Sequence, residues 1–317
     1  VKVPIPMKVL KHWKRFLMLQ RMSSPVRIGT RGSALALWQA RWVQTMLTSI
    51  GLKSELVPIQ SSGDQQQQKP LYELGVQGIF TKELDTALLA GDVDIAVHSM
   101  KDVPTQLPQG ITTAFIPKRG AWQDVIVTNN SNWESKNYVV ATSSLRRAAQ
   151  WKHKYPSHTI TDIRGNVPTR LKKLSESNFD GTIMAMAGLS RLEMLPENSV
   201  VLDWMIPAPA QGAILVTALT ENQELLSALN KLNHEETARC AEEERLFLRV
   251  LEGGCTAPIG AHAQVVDDGI HFKGSITQKD GKKQLVFDAV FALDEKHIGK
   301  SAAEQLLAKG AKDVLDG

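Results

Sequence analysis

From Val26 onward, short runs of β-branched and aliphatic residues alternate with stretches whose apolar positions recur at helical spacing, and three of the strand-to-helix junctions share one design. Strand-like runs at 26–28, 55–59, 95–97, 111–116, 125–128, 138–141, 159–163 and 182–185 are separated by helical stretches at 34–50, 81–89, 144–154 and 167–174. This rhythm reads as βαβ units, and hence as α/β sheets covered by helices. The junctions are Thr30-Arg31-Gly32-Ser33, Thr142-Ser143-Ser144-Leu145-Arg146-Arg147 and Arg164-Gly165-Asn166. Each opens a helix whose first N–H groups lack partners and carry the positive end of the dipole, and each has an arginine beside it, so each is a candidate anion site. Taken singly, the Ser or Asn is an ordinary N-cap and the arginine an ordinary surface charge. Three together point to a ligand with several negative charges.

At 317 residues the chain exceeds what one hydrophobic core holds, so two or three domains are expected. Residues 61–78 contain four consecutive glutamines, Pro70, Gly75 and Gly78, with too little apolar periodicity for a buried element, and read as a mobile loop. The loop expected over 98–104 leaves the C-terminal end of a short buried strand. The PAPAQGA run at 207–213 reads as a crossing segment, a hinge back toward the first domain. The last third differs: a long polar-faced helix at 235–251, a Gly-Gly-Cys loop, β-like runs at 261–266, 270–276 and 284–293, and a closing helix from Ile298. Strands clustered in this way suggest a small α+β domain.

The formal charge of +4 is unevenly spread. The first acidic residue is Glu55; residues 1–54 hold ten Lys and Arg, so the remaining 27 basic residues face 33 acidic ones. A mildly acidic body argues against a nucleic-acid surface. Residues 1–24 are basic and partly apolar without a clean signal-peptide core, and are set aside as an extension expected to be disordered. No apolar run approaches the roughly 18 residues of a membrane span. Two cysteines, Cys240 and Cys255, make neither a disulfide framework nor a zinc site unaided, and fit a reducing compartment, by default the cytoplasm.

Lys82, Lys101, Arg170 and Arg191 fall near strand or helix edges and extend the candidate cationic lining. Guanidinium forks match carboxylates bidentately, so a small molecule rich in carboxylates suits this set better than a nucleic-acid backbone. No glycine-rich phosphate loop is present. His98-Ser99-Met100-Lys101-Asp102-Val103-Pro104 follows a buried strand, where open α/β sheets place ligand groups. Asp102, flanked by a lysine, suits stabilisation of a cation or proton shuttling; equally, it caps the turn before Pro104. Cys255 follows Gly253-Gly254, which leaves a thiol unshielded and favours a reactive or modified side chain. Cys240 lies inside a helical stretch and reads as a small buried apolar residue.

The stretches RIGTRGSALALWQA, DIAVHSMKDVP, ATSSLRR, IRGNVPTRL, MAMAGLSRL and LEGGCTAPIG, in that order, resemble the hydroxymethylbilane synthase (porphobilinogen deaminase) family from Arg27 to the last domain. The resemblance implies an α/β protein of three domains. The first two, 25–117 with 212–230 and 118–211, would be like a type II periplasmic binding protein; the third, 231–317, would be small, α+β, and carry the cysteine. It implies a transferase of tetrapyrrole biosynthesis that condenses four porphobilinogen units, losing ammonia each time, on a dipyrromethane primer thioether-linked to Cys255, and then hydrolyses off linear hydroxymethylbilane. Asp102 would match the family's catalytic aspartate. Arg31, Ser33, Ser99, Lys101, Asp102, Thr142, Ser144, Arg146, Arg147 and Arg164 would hold the primer, and Arg31, Lys82, Arg164, Arg170, Arg191 and Gln211 the substrate. A monomer with no nucleic-acid, membrane or metal partner is implied. One departure stands out: Gln77 in GVQGIF replaces a lysine found in many members, which predicts weaker carboxylate binding on the lid-like loop.

Two other classes compete. A solute receptor without catalysis accounts for two lobes and an anion cleft but says nothing of Cys255. A nucleic-acid role resting on residues 1–24 predicts salt-sensitive binding lost on their deletion.

Overall fold

The computed structural model describes residues 24–60, 81–130, 137–251 and 257–316. Almost all of the basic opening segment, the 61–78 loop with Gln77, and Cys255 lie outside them.

The chain begins with β1 (Val26–Arg31), α1 (Ala34–Ser49), β2 (Ser54–Ile59), α2 (Lys82–Ala90), β3 (Ile95–Ser99) and β4 (Ile111–Phe115). It then crosses to β5 (Asp124–Thr128), β6 (Val139–Ala141), α3 (Leu145–Lys154), β7 (Thr159–Thr161), α4 (Val167–Glu176), β8 (Gly181–Ala185), α5 (Met186–Arg191) and β9 (Ser199–Val201). A second crossing brings it back to β10 (Ile214–Leu219) and α6 (Gln223–Leu229).

Two five-stranded sheets result, in the orders β2-β1-β3-β10-β4 and β7-β6-β8-β5-β9. Within each, the three strands at one side run parallel, and the antiparallel member is the strand that has just crossed from the other lobe. β10 (ILVTAL) has its first five residues buried, as a strand packed on both faces requires. The lobes therefore share one plan and are tied by two crossings, 116–123 and 202–213. The crossings touch where Gly120 N–H donates to Gly212 C=O (3.2 Å). Gly212 has φ +86°, and a Cβ there would lie 2.5 Å from the Ala121 carbonyl oxygen, so only glycine fits. This is the physical content of the PAPAQGA hinge.

The last part of the chain comprises α7 (Glu235–Val250), β11 (Ile259–Val266), β12 (Gly269–Thr277), β13 (Gln284–Phe291), α8 (Ile298–Ala308) and α9 (Ala311–Asp316). The strands form an antiparallel sheet in chain order. Phe247, Phe272, Ile276, Ile298, Ala302 and Leu306, all fully buried, knit the helices to it, and each fully buried large apolar side chain contributes about 1.5–3 kcal/mol. Cys240 sits in this core at 4% exposure, as its helical spacing predicts.

Differences from the sequence reading concern short elements. α5, β9, β10, α6 and α9 were not anticipated, because each is short or follows a proline-rich run. The strand expected at 95–97 continues to Ser99 through its pairing with β10, and a 3-10 turn, Met100–Asp102, replaces the first part of the expected loop.

Candidate functional site

All three polar junctions become capped helix N-termini. Ser33 accepts from Ala36 N–H (3.3 Å) to open α1, Ser144 from Arg147 N–H (3.5 Å) to open α3, and Asn166 from Thr169 N–H (3.0 Å) to open α4. α4 also carries Pro168 in its first turn, where a missing N–H costs nothing.

In the first lobe, the ends of β1 and β3 and the start of α1 surround an open pocket of about 440 Å3, lined among others by Arg31, Ser33, Gln39, His98, Ser99 and Asp102. Ser99 is oriented by Gln39, whose amide donates to its hydroxyl (2.9 Å). His98 is buried beside Thr217 (Nε2 to Oγ1, 3.3 Å); burial first, and the Arg31 charge second, push its pKa down to about 4, so the ring is neutral near pH 7. Lys101 and Asp102 are partly exposed on the 3-10 turn.

In the second lobe, Arg170 donates to Gly165 C=O (2.8 Å). Burial first, and then the neighbouring Arg147 and Arg164, bring its pKa down to about 10 against the opposing pull of Asp102, across the cleft. Thr142, buried, accepts from Ser144 N–H (3.3 Å). Arg191 donates to Gly212 C=O (2.7 Å) and lies over the Trp38 ring of α1 (5.6 Å), so it ties both lobes to the hinge. Lys82 is exposed at the start of α2.

Arg146 and Arg147 are only 5% and 6% exposed. Both face Asp124, which is fully buried: Arg146 at 2.8 Å, and Arg147 through Nε (3.0 Å) and Nη2 (2.7 Å). Burial alone would raise the Asp124 carboxyl, but the two guanidiniums outweigh it and bring its pKa to about 2. Gln211, fully buried, links this pair to the turn: its amide donates to Asp124 (2.9 Å) and to Trp122 C=O (2.8 Å), and its carbonyl accepts from Lys101 (3.2 Å).

A second buried carboxylate, Glu244 of α7, clasps the hinge. It accepts from Arg119 (2.6 and 3.0 Å), Ala210 N–H (2.6 Å) and Ala263 N–H (2.7 Å), while Arg119 also donates to Gln211 C=O (2.8 Å). The sequence reading missed Gln39, Arg119, Asp124 and Glu244. The acid that opens the apolar DVIV run was a signal for Asp124; nothing local marks Glu244 among the acids of AEEER.

Lys101, partly exposed, donates to Gln211 (3.2 Å). Burial above all, with Arg147 and Arg146 on its side and Asp102 and Asp124 opposing, brings its pKa down to about 8. Its charge is therefore present below about pH 8 and lost above. We expect kcat/KM for an anionic substrate to fall as pH rises through about 8, and the fall to move upward in Lys101→Arg. A flat profile from pH 7 to 9 in the unmodified protein would count against this.

These features define a class: a two-lobed α/β protein joined by two crossings, with a capped helix N-terminus on the first lobe, two on the second, and basic side chains beside them. The description "Porphobilinogen deaminase, dipyromethane cofactor binding domain" matches residues 26–227, and "Porphobilinogen deaminase, C-terminal domain" matches 238–308. Similar curated proteins include the porphobilinogen deaminases of Syntrophotalea carbinolica (40% identical over 302 residues, 92% of this chain and 96% of the relative) and Thiobacillus denitrificans (41% over 297, 91% and 97%). The enzyme of Synechococcus elongatus is 38% identical over 315 residues, covering 94% and 97%. The chain belongs to the porphobilinogen deaminase family. Among solved structures, an ancestral cationic amino acid solute binding protein is 16% identical with a TM-score of 0.42, covering 69% of this chain and 91% of that one. The BvgS periplasmic VFT2 domain of Bordetella pertussis is 13% identical with a TM-score of 0.41, covering 70% and 91%.

Proposed function

We propose that this chain condenses four porphobilinogen molecules head to tail on a dipyrromethane primer carried by Cys255, releases ammonia at each addition, and hydrolyses off linear hydroxymethylbilane. The observation that carries the reading is the placement of Asp102, a carboxylate in a pocket also lined by Arg31, electrostatically coupled to Lys101 beside it and Arg170 across the cleft.

The donor set suits such a primer. Each pyrrole brings an acetate and a propionate, and the described residues offer Arg31 and Ser33 on one lobe, and Ser144, Arg164 and Arg170 on the other, to receive them. When bound, the primer supplies a nucleophilic pyrrole carbon at its free end. Ser99, held by Gln39, and Thr142, held by its own turn, are assigned supporting contacts. Arg146 and Arg147 present whatever donors Asp124 leaves to the primer side, while Gln211 sets the position of Lys101. Arg191 and Lys82 are assigned to incoming substrate at the cleft mouth.

As porphobilinogen loses ammonia, its aminomethyl C–N bond breaks and the pair leaves with nitrogen, which takes a proton. The remaining methylene pyrrole is a cation, and an anionic Asp102 lowers the energy of that charge as it forms. Asp102 is assigned to orient the pyrrole N–H groups during this exchange, in which a bound primer would supply the attacking carbon and give up its α-proton to water. Cleft arginines hold the carboxylates of the growing chain in register.

Three domains at 25–117 with 212–230, 118–211 and 231–317 fit this division of labour. The protein is taken to act as a cytoplasmic monomer on a small molecule, without nucleic-acid or membrane partners; no described helix is long and apolar enough to cross a membrane. Intact-mass measurement tests the reading. Purified protein should exceed its sequence mass by one dipyrromethane, Cys255→Ser should not, and porphobilinogen should yield ammonia and an oxidisable tetrapyrrole. A bare Cys255 in turning-over protein would sink the primer; ligand binding without ammonia release would leave a solute receptor.

A further inference from the structure

The turn bearing Lys101 and Asp102 does not hold itself. Val103 N–H donates back to Met100 C=O (3.2 Å), Met100 N–H donates away from the turn to Ala213 C=O (3.0 Å), and Pro104 offers no N–H. Three of its carbonyls, those of Met100, Val103 and Pro104, converge on Arg245 of α7. Nη1 donates to Val103 (2.8 Å) and Met100 (3.3 Å), and Nη2 to Pro104 (2.5 Å).

One stripe of α7, at the i, i+3, i+7 spacing that shares a helix face, carries Ala238, Ala241 and Arg245. Ala241, with Ala238 beside it, packs in the same apolar cluster as Met100 and Val103, which are 2% and 3% exposed. Cys240 and Phe247, on the other side of the helix, enter the core of the last domain, and Leu248, at the end of the stripe, joins them there. α7 is thus shared between two bodies: apolar contact presses the turn against it, and the guanidinium fixes the backbone carbonyls. With those carbonyls held from behind, the turn offers Lys101 to Gln211 and Asp102 to the pocket. A planar fork with five donors suits three convergent carbonyls; the single ammonium of a lysine does not reproduce it.

We infer that Arg245 is a positioning residue for the reaction: from outside the cleft it fixes the turn so that Asp102 meets the charge developing on the substrate. The inference rests on the function proposed above. Arg245 touches neither substrate nor primer in this role, so its loss acts on turnover rather than on binding.

The test compares Arg245→Gln and Arg245→Lys with the unmodified protein, scaling rates to the primer-bearing fraction from intact mass. We expect kcat per primer-bearing site to fall about 10- to 100-fold in Arg245→Gln, as displacement of a reacting group by an ångström or so would cause. KM should stay within about threefold, because the carboxylate-binding arginines are untouched. Arg245→Lys should be intermediate. In Arg245→Ala, guanidinium chloride at millimolar concentration should restore part of kcat, and sodium chloride at equal ionic strength should not. A kcat per primer-bearing site within about twofold of the unmodified protein in Arg245→Gln, or a loss wholly explained by fewer primer-bearing molecules, overturns the inference. If Arg245→Gln does not fold, Arg245→Lys decides on the same criterion. Absence of both primer mass and ammonia release from the unmodified protein would instead overturn the proposed function.

Discussion

Replacing Asp102 with asparagine is expected to lower turnover about 10²- to 10⁴-fold, the range associated with losing a positioned acid–base group or a charge aimed at the transition state. The substitution keeps side-chain shape and removes only the negative charge. Asp102 is partly exposed on a turn whose anchors are Met100, Val103 and Arg245, so the fold and the primer mass should persist. What changes is the pocket's potential: Arg31, Lys101 and Arg170 then surround a developing cation with no opposing carboxylate between them. Because Asp102 also raises the Lys101 pKa, its removal should move the alkaline loss of activity to lower pH. Ammonia release at saturating porphobilinogen is the measurement; a variant keeping more than half of normal turnover would refute the assigned role.

Asp124→Asn should produce the largest loss of stability, about 3–5 kcal/mol, because it strips the countercharge from two buried guanidiniums, equivalent to a drop in thermal midpoint on the order of 10 °C. Arg146 and Arg147 can find no water where they sit, and Gln211 would face an amide instead of a carboxylate. In the Asp124→Asn background, adding Arg147→Gln should cost less than it does alone, since one uncompensated charge is then removed. The native pKa of Asp124, about 2, lies below its ordinary value of 3.8. Its stabilising contribution is therefore complete above roughly pH 4 to 5, and is lost as pH falls toward 2, where the unfolded chain binds the proton first. Thermal scans across that range should show a steeper acid loss in the unmodified protein than in Asp124→Asn, and parallel curves would contradict the assignment.

Local features of this site were legible from residues alone. Ser33, Ser144 and Asn166 cap helices because a cap depends on the next three N–H groups, and those are written beside it. The Gly-Pro content of 207–213 announced a crossing, and the spacing around Cys240 announced a buried side. Long-range pairings were hidden. ATSSLRR gives no sign that Arg146 and Arg147 also pair with Asp124, some 22 positions away, or that Gln211 joins from 87 positions away. The same holds for Glu244, which meets Arg119 across 125 positions, and for Arg245, whose three acceptors are carbonyls that no side-chain pattern reveals. β10 escaped notice because its strand character comes from filling a slot between β3 and β4, and the proline-rich run before it disguises where the strand starts.

The late return of the chain to the first lobe has a consequence for how the polypeptide matures. All five strands of the second sheet come from one uninterrupted interval, Asp124 to Val201, whereas the first sheet lacks its penultimate member until Leu219 exists. During synthesis the later-encoded half can close while the earlier one still exposes the edges of β3 and β4. Truncation anywhere between β9 and β10 should therefore leave a finished lobe tethered to an unfinished one, and that gap is where an emerging chain most needs protection from aggregation.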